Sequence, residues 1–282
     1  MAFSTRLSSS LIPLLACLSI APAAIAQQRP LTTEDPETIG AGRVLLEAGI
    51  ETGQNARYPL SGLQGDRVAM PLGVSIGLGS IGELQLDSGY TWFGIDSRDE
   101  APLSSRVPPD VSRTSDLIDM VVATKVRVLA EGARRPAVGI RFATRLPNAS
   151  NESGLGLDTL AFSFGVLAGK TVGSVRVVAN AGVAILSSPL VGTIQDDAFV
   201  GGVSIAWALT KGLEVVGEVA GQKVFFADVA PVGAEPLGEA RAALRYTRGR
   251  TRIDGGILIG FTARSPDFGV MAGVTIVGQG FK

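Results

Sequence analysis

The chain has 282 residues with 25 basic and 26 acidic side chains, a formal net charge of −1, no histidine and one cysteine. That balance leaves no basic footprint for nucleic acid as a partner. Without histidine, a Ser–His–Asp relay has no base, and the usual zinc, haem and iron–sulfur sites lack ligands, so no cofactor is expected.

The N-terminus carries Arg6, an apolar run over 7–25, and Ala24-Ile25-Ala26 before Gln27. This is the pattern of a signal peptide, 1–26, with a small-residue cleavage site. Leu14-Leu15-Ala16-Cys17 also resembles a lipoprotein box, but the apolar run continues past Cys17 to the better site. Removing Arg6 leaves 24 basic and 26 acidic residues, a net −2, and no cysteine for a disulfide. The stretch 27–42, QQRPLTTEDPETIGAG, is polar, acidic and broken by prolines. It reads as a periplasmic N-terminal segment or a small plug.

From residue 43 onward one strand grammar runs without a linker, which makes 43–282 a single domain. In 137–146, Val138, Ile140, Phe142 and Thr144 alternate with Gly139, Arg141, Ala143 and Arg145. A period of two with one apolar face defines a β-strand. Twelve such stretches are expected at 43–52, 67–78, 83–95, 116–129, 137–146, 159–169, 175–186, 197–209, 213–222, 237–247, 252–262 and 268–277. Each is near the roughly 9–11 residues that a tilted strand needs to cross a bilayer. No charge-free run long enough for a membrane helix follows the leader.

The connections alternate short and long. Those at 79–82, 130–136, 170–174, 210–212 and 248–251 are short. Those at 53–66, 96–115, 147–158, 187–196 and 223–236 are long, with a shorter last one at 263–267. Short periplasmic turns, longer outer loops and an even strand count describe an all-β, up-and-down antiparallel transmembrane β-barrel. Tyr90 and Trp92 at one end, and Trp207 and Tyr246 at the other, have the parity of lipid-facing girdles. Pro71 is a tension within the second strand, because proline lacks a ladder donor. It implies a bulge or a later strand start.

The inward parity carries the charges that could line a pore. The first and third strands supply Glu47, Glu83 and Asp87. The fourth to seventh are mainly basic, with Lys125, Arg127, Arg141, Arg145 and Arg176. The ninth adds Glu214 and Glu218, and the tenth and eleventh add Arg241, Arg245 and Asp254. These charges either pair across strands and fill the interior, or form segregated rings that select small polar solutes. The turn at 247–251 favours Gly249-Arg250 at its centre, because a two-residue hairpin wants glycine where φ is positive. That register sets Arg245 opposite Asp254 and implies an ion pair. The alternative slip would oppose Arg245 to Arg252.

Apparent enzyme motifs dissolve in this context. Gly73-Val74-Ser75-Ile76-Gly77 fits a nucleophile elbow but lies in a strand with no histidine to activate Ser75. Gly77-Leu78-Gly79-Ser80-Ile81-Gly82 fits a dinucleotide fingerprint, but a strand follows it where a helix is needed. It reads as a hairpin turn. Gly169-Lys170-Thr171 lacks the earlier glycine of a phosphate loop, and the carboxylates of 96–100 read as a solvated loop rather than a calcium site.

Arg29-Pro30-Leu31-Thr32-Thr33-Glu34-Asp35, leading into Gly40-Ala41-Gly42-Arg43-Val44-Leu45-Leu46-Glu47, and the strand–turn–strand 72–86, carry a resemblance. The chain resembles the outer-membrane barrels named for the phenol-degradation meta-pathway, a transporter-like family. The resemblance implies uptake of aromatic or other small compounds and transfers no catalytic residue. Such barrels tend to end in an aromatic residue, whereas here Phe281 is followed by Lys282. The expectation is therefore a porin-like outer-membrane channel for passive transport of small solutes, with no enzymatic activity. The alternative is a non-conducting barrel with a filled lumen. Its partners would be outer-membrane lipid, a small-molecule solute and the barrel assembly machinery.

Overall fold

The computed structural model describes residues 29–225 and 229–280. The expected leader with Cys17, and Phe281 and Lys282, lie outside the described residues. Twelve antiparallel strands close into one barrel, each bonded to its sequence neighbours, with β1 joined to β12. In chain order they are β1 (Arg43–Tyr58), β2 (Leu63–Leu78), β3 (Gly82–Arg98), β4 (Arg113–Leu129), β5 (Ala137–Leu146) and β6 (Ala161–Val172). The rest are β7 (Val175–Ser187), β8 (Gln195–Thr210), β9 (Leu213–Val224), β10 (Leu237–Arg248), β11 (Thr251–Gly260) and β12 (Phe268–Gln279).

The alternation read from the sequence sorts the two faces. Phe142 is 51% exposed on the outside, as are Leu46, Phe164, Val203, Ile257 and Val270 on other strands. Trp92, Trp207 and Tyr246 share this outer face. Arg141 and Arg145 point inward, where their partners Glu34 and Asp119 lie. A closed sheet leaves no edge unpaired, as a lipid-facing sheet requires.

Several boundaries differ from expectation, most of all at 53–66. There β1 and β2 continue as a ladder to a tight turn at 59–62, with a register shift between Gly53 and Ala56. The lipid-type alternation is lost in this stretch, so it did not read as strand. Its inner side packs instead, with Leu63 and Ala56 buried against Phe93 and Val107. β3 and β4 likewise extend beyond 95 and before 116, leaving 99–112 as a loop with a short 3-10 turn at Ser104–Arg106.

Pro71 lies in mid-strand, so the second strand does not begin later. The β1–β2 ladder lapses there, between Ala48↔Leu72 and Glu51↔Ala69. The register shift sits in the β3–β4 ladder, between Asp87↔Val121 and Gly89↔Ile118, with the extra residue on β4. Gly79, at φ 66°, opens the turn between β2 and β3, which makes 77–82 the expected hairpin. At the β10–β11 turn Gly249 has φ 64°, Arg248 faces Thr251, and Arg245 faces Asp254. The register is the one that turn chemistry and charge selected together.

Candidate functional site: the lumen and the segment inside it

The short-turn end of the lumen is occupied by residues 29–42, which run around the inside of the wall. Leaving the start of β1, Gly42 donates its N–H to the Gly77 carbonyl, and Ile39 packs on Leu45 and Val277. The Ile39 N–H donates to the Glu83 carboxylate at 2.9 Å. Glu37 pairs with Arg127, and Asp35 is held by Arg176 through two guanidinium nitrogens. The Glu34 backbone exchanges hydrogen bonds with the Asn180 side chain at 2.6 and 2.8 Å. Farther along, Glu218 accepts from the Thr32 and Thr33 amides and from the Thr32 hydroxyl, at 2.6–3.0 Å. Arg29 finally reaches the far side, 3.5 Å from Asp254 and hydrogen-bonded to the Ala272 carbonyl.

Glu34 is the centre of this arrangement. Its carboxylate lies 3.3 Å from Lys125 and 3.2 Å from Arg141, and Gln85 donates to it at 3.2 Å. Lys125, only 1% exposed, also pairs with Glu83 at 3.2 Å, directly across the β3–β4 ladder. Burial opposes ionisation of Glu34, but Lys125 and Arg141 outweigh it and hold the carboxyl below its ordinary pKa. On the β4–β5 connection, Glu131 is held low in the same direction. Its slight burial acts against the shift, and hydrogen bonds from the Thr171 amide, Lys170 and Arg176 produce it.

Glycines make room for the segment. A Cβ at Gly49 or Gly273 would lie 2.3 Å from the Arg29 guanidinium, and one at Gly77 would lie 1.8 Å from the Gly40 carbonyl oxygen. At Gly202 it would meet Thr33, and at Gly139 and Gly169 it would meet Pro36. These inward-facing glycines are therefore places of close backbone or side-chain approach, a use of glycine that needs no unusual φ.

The inward charges expected from parity fall into three groups. Lys125, Arg127, Arg141, Arg176, Glu83, Glu47, Glu218 and Asp254 touch the segment, as does Arg241 through the Pro30 carbonyl. Others pair along the wall: Arg145 with Asp119, and Glu214 with Arg252, each at 3.5 Å. Arg241 belongs to this wall network too, reaching Glu51 at 3.2 Å and Glu239 at 2.9 Å. Asp87 lines a cavity, and Arg245 lies between Glu214 on β9 and Asp254 on β11. The carboxylate of Asp254 is 3.5 Å from Arg29, so a residue of the segment enters the site where a purely cross-strand ion pair was expected.

Two cavities border the segment. One, of about 410 Å³, lies over Thr32, Thr33 and Glu34 against small residues of β6–β9 such as Ser163, Gly165, Gly182 and Ala220. The other, of about 380 Å³, lies by Arg29–Leu31, Glu47, Asp87 and Asp119. Arg141 and Arg241 line both. Ser75 is an inward strand residue opposite Leu45, and no group of three or more Asp, Glu, Cys or His side chains is placed to hold a metal among the described residues.

A closed antiparallel barrel with an apolar exterior and a charged lumen is the architecture of outer-membrane β-barrels. No protein-family model matches the chain, and no curated protein matches it. Among solved structures, it is similar to an outer-membrane channel from Pseudomonas putida F1, with TM-score 0.61 and 11% identity over 86% of this chain and 98% of that one. It is also similar to the NanC porin, with TM-score 0.51 and 9% identity over 83% of this chain and 98% of the other. At these identities the likeness is one of fold.

Proposed function

We propose that the protein is an outer-membrane channel for the passive passage of small solutes, with residues 29–42 as a plug that narrows its lumen. The observation that carries this reading is the pair of cavities, about 410 and 380 Å³, left inside a closed barrel around a segment held largely by polar groups. Cavities of a few hundred Å³ suit small solutes. The family resemblance adds aromatic compounds to the candidates. Outer-membrane lipid covers the apolar band, and the lumen charges are pore residues through their pairing with the plug and with each other.

The test is single-channel recording of the refolded protein in a planar bilayer. Discrete conductance steps with measurable ion selectivity are expected. A barrel that inserts and conducts nothing would instead be a structural barrel with a filled lumen. Release of fatty acid from labelled phospholipid would contradict the non-enzymatic reading.

A further inference from the structure

The acidic stretch of the segment and the wall it touches fit each other as a ligand fits a site. Three carboxylates, Glu34, Asp35 and Glu37, meet four cations drawn from three strands, Lys125 and Arg127 of β4, Arg141 of β5 and Arg176 of β7. Each carboxylate is matched separately, Glu34 by Lys125 and Arg141, Asp35 by Arg176, and Glu37 by Arg127.

We infer that this basic wall is a binding site for carboxylate-bearing solutes with two or more acid groups, occupied in cis by Glu34, Asp35 and Glu37, which such a solute displaces. The inference deepens the channel reading above and rests on it. The wall is not a set of charges neutralised within the barrel. Apart from the segment, Arg127 is bonded to the Ser80 carbonyl and Arg141 to Gln85, neither of which carries charge. Lys125 and Arg176 retain one carboxylate each, Glu83 and Glu131. Displacing the segment therefore uncovers cationic capacity on one side of the lumen.

Elsewhere on the wall, on β1 and β9, carboxylates hold the rest of the segment. Glu218 takes the Thr32 and Thr33 amides, and Glu47 accepts from the Arg29 amide at 3.3 Å. A displaced segment would leave carboxylates there and cations on β4, β5 and β7. A multiply charged anion entering the larger cavity, which Glu34 and Arg141 both line, is drawn to the cationic side. Two parallel carboxylate contacts to guanidinium groups are geometrically specific as well as strong.

A lock makes this testable in the full chain. The Thr33 and Ser204 hydroxyl oxygens are 2.7 Å apart, so Thr33→Cys with Ser204→Cys, in a Cys17→Ser background, brings two thiols within disulfide reach. In planar bilayers containing propane-1,2,3-tricarboxylate, the oxidised form should show a conductance several-fold below that of the reduced form. Reduction should also move the reversal potential toward anion permeability. Glycerol, of similar skeleton but uncharged, should open no such difference between the two forms.

A second variant, Glu34→Gln with Glu37→Gln, keeps the shape and removes two charges. It should lower the tricarboxylate concentration needed for half effect by about tenfold, equivalent to roughly 1.4 kcal/mol. Equal conductance in the oxidised and reduced forms with tricarboxylate present, and with the disulfide verified, overturns the proposal while leaving a channel. No conductance in any form overturns both. An equal effect of glycerol and tricarboxylate overturns the assignment of ligand class.

Discussion

The two ends of the lumen are filled in opposite ways. At the short-turn end, residues 29–42 are held by ion pairs and by side-chain bonds to the backbone, with Leu31, Pro36 and Ile39 as buried apolar anchors. At the long-loop end, apolar clusters close the structure: Phe93, Leu63, Ala56 and Val107 on one side, and Leu186, Ala198, Val224 and Ala234 on the other. Apolar burial is non-directional and is not screened by ions, whereas charge pairing is specific in partner and is screened. On the proposed channel reading, the short-turn end is therefore the one expected to change state in response to a solute.

The largest expected effect falls on the apolar end. Phe93→Ala should destabilise the cluster around Tyr58 and Val107 by about 3–5 kcal/mol. Limited proteolysis within 99–112 should accelerate, and the plug should stay docked. If the plug loosened as well, the two ends would be one cooperative unit and the contrast between them would fail.

Next is Lys125→Met, which removes the ion-pair partner of Glu83 and leaves Glu34 with Arg141 alone. Breaking a buried pair costs on the order of 3 kcal/mol or more. A lower unfolding midpoint and an increase in open-channel current are expected. A lower midpoint with unchanged current would show that Lys125 supports the wall without holding the plug.

Replacing Arg141 and Arg145 together with Gln should shift the reversal potential toward cations. Arg141 should dominate, because Arg145 is already matched by Asp119 whereas Arg141 is matched by the displaceable Glu34. The smallest effect belongs to the exposed Arg106–Glu152 pair at 3.9 Å, where Glu152→Gln should change stability by less than about 0.5 kcal/mol.

The barrel was legible because lipid on one face and charge on the other write a period of two into every membrane strand. Strand number, Gly249 at the turn and the Arg245↔Asp254 register followed from that pattern. The strand extensions at Gly53–Tyr58 and 63–66 were not legible, because outside the bilayer no lipid face enforces alternation. Parity assigns the inward face of each strand, but not the partner that an inward charge meets off the ladder. Glu34, Asp35 and Glu37 were missed as partners, since a short prolyl segment has no periodicity to show which face it presents. One signal was available: Gly49, Gly139, Gly169, Gly202 and Gly273 all take inward positions along the path of the segment. These inward glycines mark where another piece of chain passes.

The central claim, a plug docked in the lumen by charge, is tested most directly by thiol labelling. Thr33→Cys in a Cys17→Ser background should react slowly with a polyethylene-glycol maleimide at low ionic strength, far below the rate at the exposed loop position Asp110→Cys. Raising the salt should accelerate labelling at position 33 and leave position 110 unchanged. Labelling at 33 as fast as at 110 in low salt, or a slow rate indifferent to salt, would contradict the account.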